Sequence, residues 1–207
     1  MNDTDYPICN IVDINVFLYM GYRMVHNYRI VYENIELRQI EEGDLEYLRD
    51  WRNDEENTRY LRKIPYITVE DQKKWFHNYL LNEDDMTFAI IENDIIKGIV
   101  GSLSLYNFCE ENVEFGKLLI GNKLAHGKGI GVKVLNMLLR FIFDELDIIN
   151  VYLFVFNNNI AAKKIYEKVG FEVINMSECI NGDIEIYMHL SKDRYRKSMR
   201  MNDAELR

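Results

Sequence analysis

Residues 35–40 read Ile-Glu-Leu-Arg-Gln-Ile, an apolar–polar alternation with the two-residue period of a half-buried strand. Glu41-Glu42-Gly43-Asp44 interrupts it, and Asp44 is a suitable N-cap for a helix that turns Leu45, Leu48 and Trp51 to one side. Thr68 opens a second such helix, with Trp75, Phe76, Tyr79 and Leu80 inward. Residues 87–92 and 95–106 are strand-like and flank Asn93-Asp94, a turn pair that predicts a hairpin. Residues 113–120 form a third run. Then the period changes. Ile130, Val134, Met137, Leu138, Phe141 and Ile142 fall on one face of a helix. Residues 151–156 are continuously apolar and aromatic, as in a buried strand. Residues 160–169 return to helical spacing and stop at Gly170, a residue suited to a left-handed C-cap. Residues 171–174 and 184–190 close the sheet as a final pair. The elements predict a mixed α/β (α+β) domain.

Composition narrows the class. The chain has 207 residues, enough for one domain with extensions, and 48% apolar residues, enough for a core. We divide it into an extension at 1–33, a domain at 34–190 and a charged tail at 191–207, an exposed or frayed helix. The extension is apolar and aromatic without a clean period, and reads as a segment packing on the domain or on a second subunit of a homodimer. The net charge of −9 disfavours nucleic acid as a partner. Cys9, Cys109 and Cys179 are scattered, which argues against a disulfide framework and fits a reducing cytoplasm. His26, His77, His126 and His189 are equally scattered, so no metal is expected. The acidic start and the polar interruptions at Asp13 and Asn15 give neither a signal peptide nor a membrane span. The reading is a cytoplasmic protein with no membrane partner.

Two segments carry chemistry. The first is the strand ending at Ile120, the loop His126-Gly127-Lys128-Gly129-Ile130-Gly131 and the helix behind it. Glycines let backbone approach a phosphate, and a helix N-terminus favours its charge, so a phosphate-bearing cofactor is implied. The dinucleotide fingerprint GxGxxG fails because Val132 stands where its last glycine belongs, and no GxxxxGK[ST] exists. The second segment is Asn159, Ala162, Tyr166, Gly170 and Phe171. Ala162 and Tyr166, four apart, share a helix face, where the small residue permits close approach and the tyrosine brings a hydroxyl.

Together these segments resemble the GNAT superfamily of N-acetyltransferases. His126-x-x-Gly129-x-Gly131 follows its Q/R-x-x-G-x-G/A signature, with His126 in place of the usual Gln or Arg. Asn159, Ala162, Tyr166, Gly170 and Phe171 follow its N-x-x-A-x-x-x-Y-x-x-x-G-F signature. The resemblance covers about residues 35–190. It implies a central, mixed, mostly antiparallel twisted sheet flanked by helices and splayed at the acetyl-CoA cleft. It places the pantetheine along the backbone of Leu118, Leu119 and Ile120, with an N–H there stabilising the oxyanion. The pyrophosphate falls on Gly127, Lys128, Gly129, Ile130 and Gly131, beside His126; Asn159 contacts the pantetheine, and Ala162 and Tyr166 complete the cofactor site. Lys128 is a charge partner for the pyrophosphate. Glu114, or a water relay, takes the proton of the amine, and Tyr166 returns one to the departing thiolate. A free phenol and a free thiol have pKa values close enough for a nearly balanced transfer.

The acceptor is a small-molecule amine. Trp51, Arg52, Asn53 and Trp75 resemble the substrate-binding region of nucleotide-sugar amine acetyltransferases, such as those of bacterial pseudaminic acid synthesis, and the chain is also similar to the Rim and spermidine acetyltransferase groups. An amino sugar, linked to a nucleotide, is the lead reading. A polyamine, a protein N-terminus or a lysine is the alternative. A third reading is a sensor that binds acetyl-CoA without turnover.

Overall fold

The computed structural model describes residues 26–205, apart from 83 and 180, with side chains to 198. The expected extension at 1–33 lies mostly outside the described residues. Its last part does not: β1 (Arg29–Tyr32) pairs antiparallel with β2 (Ile35–Gln39), so the sheet begins upstream of residue 34. The short run 28–32, Tyr-Arg-Ile-Val-Tyr, carries no period that would announce it.

From β2 the chain forms α1 (Leu45–Asn53), α2 (Glu55–Thr58) and α3 (Val69–Tyr79). The sheet resumes with β3 (Asp85–Glu92), β4 (Gly98–Cys109) and β5 (Asn112–Ile120). Then come α4 (Ile130–Arg140), β6 (Asn150–Phe156), α5 (Ile160–Val169), β7 (Glu172–Glu178), β8 (Ile184–Ser191) and α6 (Lys192–Glu205). The sheet has eight strands in the order β1-β2-β3-β4-β5-β6-β8-β7. Every pairing is antiparallel except β5 with β6.

Alternation along the strands builds two cores on opposite faces. Phe88 and Ile90 of β3 join Phe115 of β5 and Val134, Leu135 and Leu138 of α4 in the larger one. Each large apolar side chain fully buried there contributes about 1.5–3 kcal/mol. Ala89, between Phe88 and Ile90, points the other way, to Leu48 of α1 and Tyr79 of α3. So α4 and α5 cover one face, and α1 to α3 cover the first half of the other. Beyond the cover of α1 to α3, that face carries Tyr152, Phe154, Tyr187 and Glu185.

Three local expectations change. Asp44 does not cap α1 with its side chain; its carboxylate takes the Arg38 guanidinium at 2.7 and 2.9 Å and the Glu41 amide at 2.8 Å, tying β2 to the following turn. In α3 it is Gln72 and Tyr79 that are buried, whereas Trp75 sits at the surface, 37% exposed, stacked on Tyr79. Cys109 is disulfide-bonded, where the scattered cysteines argued against a disulfide framework; Cys179 is free. Thr68 behaves as expected: its hydroxyl caps Asp71, whose carboxylate caps Thr68 in return. Gly170 ends α5 in the left-handed region at φ 113°.

Candidate active site

β5 and β6 run parallel and stay in register only from Asn112–Asn150 to Glu114–Tyr152. From Phe115 onward the β5 edge facing β6 has no strand partner among the described residues, so its polar groups need one from elsewhere. Part of the cause is visible in β5 itself. Opposite β4 the register slips between Leu119 and Gly116, with Lys117 at φ 55°. A bulge of this kind bends the strand that carries it.

The glycine loop lies at the open end of the split. Gly127 and Gly129 adopt φ 73° and 71°, which glycine reaches without strain, and Gly129 is the N-cap of α4. No protein atom stands within 4 Å of a Cβ built on Gly127, Gly129 or Gly131, so packing is not what calls for glycine there. The backbone N–H groups of Gly127, Lys128, Gly129, Ile130 and Gly131 donate to no acceptor among the described residues. Consecutive free donors at a helix N-terminus fit a pyrophosphate. His126 faces the other way. Its Nε2 donates to the carbonyl of Ile120 at 2.7 Å, fastening the loop to the end of β5. Among the described residues no group of His, Cys, Asp and Glu could hold a metal, and no helix is long and apolar enough to cross a membrane.

On the α4–α5 face, Tyr166 is buried against Phe115 and Phe171, ring centroids 6.1 and 5.8 Å away. Burial pushes its phenol up to about 12, so the transfer to a thiolate is not balanced as a free phenol's would be. Asn159 is the N-cap of α5: its Oδ1 accepts the Ala162 amide at 3.2 Å, which accounts for an asparagine three residues before that alanine.

On the opposite face, Glu114 accepts from the Tyr106 hydroxyl at 2.7 Å and from Asn107 Nδ2 at 2.8 Å. Tyr106 and Glu114 are register partners across β4 and β5, a pairing no sequence spacing announces. The Tyr106 phenol lies over Gly116, where a side chain would overlap it. Burial first, then the Glu114 carboxylate, raise the Tyr106 pKa far above the ordinary value, so it stays a donor.

These groups open into a cleft of about 1560 Å³ bounded by α1, α3, the loop 59–67, β4, β5, β6 and β8. Arg52 and Trp75 line it; Trp51 and Asn53 are not among the lining residues. Asn53 instead donates to the Ile67 carbonyl and accepts the Ile67 amide, both at 2.9 Å, and so clasps the loop. Trp51 packs where a Cβ on Gly121 would stand, just past the end of β5. Asn57 also holds the Gly121 carbonyl, and Lys123 pairs with Glu56 at 2.6 Å. The wall of the cleft is thereby bolted to the strand–loop junction.

Comparison with known proteins agrees with this geometry. The acetyltransferase (GNAT) domain family matches residues 34–172. A spermidine N(1)-acetyltransferase of Vibrio cholerae is 26% identical over 137 residues, covering 65% of this chain and 77% of that protein. The structure of spermidine N-acetyltransferase from Vibrio cholerae in complex with CoA and spermine superposes with a TM-score of 0.70 at 23% identity, covering 78% of this chain and 98% of that one. Apo FdhC, a nucleotide-linked sugar GNAT, superposes with a TM-score of 0.71 at 20% identity over 86% of this chain and 98% of its own. With the split sheet, the free amides and both signature segments in place, the chain belongs to the GNAT family of N-acetyltransferases, which take acetyl from acetyl-CoA to an amine.

Proposed function

We propose that this chain acetylates the primary amine of a small molecule, with an amino sugar as the acceptor, Glu114 as the base and Tyr166 as the acid. One observation carries the reading. Tyr166 and Glu114 occupy opposite faces of the sheet, on either side of the β5–β6 split. A thioester entering over α4 and α5 thus meets an acceptor arriving from beneath α1 and α3.

The chain's own groups then divide the work. The free amides of 127–131 hold the pyrophosphate, and the unpaired β5 edge aligns the pantetheine and supplies an N–H to the oxygen that gains charge. Glu114, held by Tyr106 and Asn107, takes a proton from the ammonium, directly or through one water. The amine nitrogen forms its bond to the carbonyl carbon, the C–S bond breaks, and Tyr166 gives its proton to sulfur. Glu114 passes that first proton to solvent and takes the second one, which the nitrogen sheds after its bond to carbon forms; one of the two returns to Tyr166 through solvent and the other is released. The products are the N-acetyl amine, CoA and one proton.

A polyamine acceptor is the second reading, favoured by the number of carboxylates that line the cleft. The test is thiol release from acetyl-CoA across UDP-linked 4-amino sugars, spermidine, aminoglycosides and short peptides. Saturable release with an amino sugar supports the lead, and release with spermidine alone the second reading. Acetyl-CoA binding with no release from any amine would overturn both in favour of a sensor.

A further inference from the structure

Six carboxylates line the acceptor cleft, those of Asp71, Asp84, Asp85, Glu110, Glu114 and Glu185, against three cations, Arg52, Arg62 and Lys117. Counting alone suits a cationic acceptor. Pairing reverses the sign. Asp71 is committed to Thr68, Asp85 to Lys117 and Thr87, Glu185 to Arg62, and Glu114 to Tyr106 and Asn107. Asp84 and Glu110 are exposed at the surface, where water screens them. Arg62 and Lys117 are spent in the same pairs. What is left uncommitted is Arg52. It is half-buried, and among the described residues it makes no ion pair and no hydrogen bond; burial alone shifts it, lowering its pKa. A half-buried guanidinium with no anion beside it gains from a ligand that supplies one.

A second group points the same way. Gln72 of α3, the helix packed against α1, lines the same cleft and is only 7% exposed. Its side-chain amide likewise makes no hydrogen bond among the described residues. The amide atoms open to the cleft rather than to a protein partner, and offer a ligand two donors and an acceptor. Neither group serves the fold as Asn53 does, and both face the acceptor.

We infer that Arg52 and Gln72 form a subsite for a phosphate group on the acceptor: the guanidinium fork takes phosphoryl oxygens, and the amide takes an adjacent hydroxyl or carbonyl. This rests on the reading of the cleft as the amine-acceptor site. It selects a phosphorylated amino sugar, free or linked to a nucleotide, over a polyamine.

Calorimetric titration of the full chain saturated with CoA, so that the glycine loop is filled, tests the subsite without requiring turnover. The probes are UDP and glucosamine 6-phosphate, with spermidine as the cationic control. At least one phosphate probe should bind with a Kd of about 1 mM or tighter. In Arg52→Gln that affinity should fall about 10-fold or more, while CoA affinity stays within about 2-fold. Gln72→Leu should weaken the same probe by a smaller factor. UDP binding identifies a nucleotide-linked acceptor, and glucosamine 6-phosphate binding alone a simple sugar phosphate. Failure of both probes to bind, or equal binding by wild type and Arg52→Gln, would overturn the subsite. Failure to bind CoA would instead remove the acetyl-transfer reading itself.

Discussion

The two sides of the proposed active site are made of different material. The donor side is backbone: the amides of 127–131, the edge of β5 and the N-terminus of α4. The acceptor side is side chains: Arg52, Gln72, Trp75 and the Tyr106–Glu114–Asn107 cluster, gathered from α1, α3, β4 and β5. Backbone recognition needs glycines at fixed spacing, so it leaves a mark in the sequence. Side-chain recognition across distant elements leaves almost none. The same division suits an enzyme class in which the donor is common and the acceptor varies.

Substitutions can sharpen or break this contrast. The largest effect is expected where a side chain enters the donor side. Tyr166→Phe should lower kcat by about 100-fold or more, because a general acid is lost, while acetyl-CoA affinity holds. With the phenol pushed up to about 12, wild-type kcat should show no loss from Tyr166 ionisation until pH approaches that value. An unchanged kcat in the variant would remove Tyr166 as the acid. Next comes the joint between the two sides. Gly121→Ala would drive a Cβ into the Trp51 indole, and should destabilise the protein by about 1–3 kcal/mol in thermal or denaturant unfolding. A wild-type midpoint would show that α1 is not fastened there.

Much of the fold is legible in the sequence because period and punctuation agree. Residues 160–169 are helical, Gly170 stops them, and the structure places α5 at Ile160–Val169. Thr68 and its reciprocal cap open α3 as its spacing predicts. β1 is not legible, since four residues at a sheet edge with one buried neighbour carry no pattern. Asp44 looks like a cap but is claimed by Arg38, a tertiary contact that outweighs the local preference. In the proposed site, the glycine loop is marked by its own spacing, and Tyr166 by the signature of the family that the chain resembles. Tyr106 cannot, because only the β4–β5 register brings it to Glu114. Trp51, Arg52 and Asn53 are neighbours in sequence yet separate in role: one packs on Gly121, one lines the cleft and one clasps Ile67. A helix turns consecutive residues to different sides, so the string alone does not say which of them meets the acceptor.

The central claim is that backbone, not side chains, holds the acetyl-CoA pyrophosphate. It is tested most directly by titrating acetyl-CoA into Gly129→Asp and Lys128→Ala side by side. Gly129→Asp adds a negative charge in the cradle, together with a side chain at φ 71° where glycine alone is unstrained, and should bind about 10-fold more weakly or worse. Lys128→Ala removes an exposed charge and should change affinity by no more than about 3-fold. The reverse order, with Lys128 decisive and Gly129→Asp near wild type, would contradict the account.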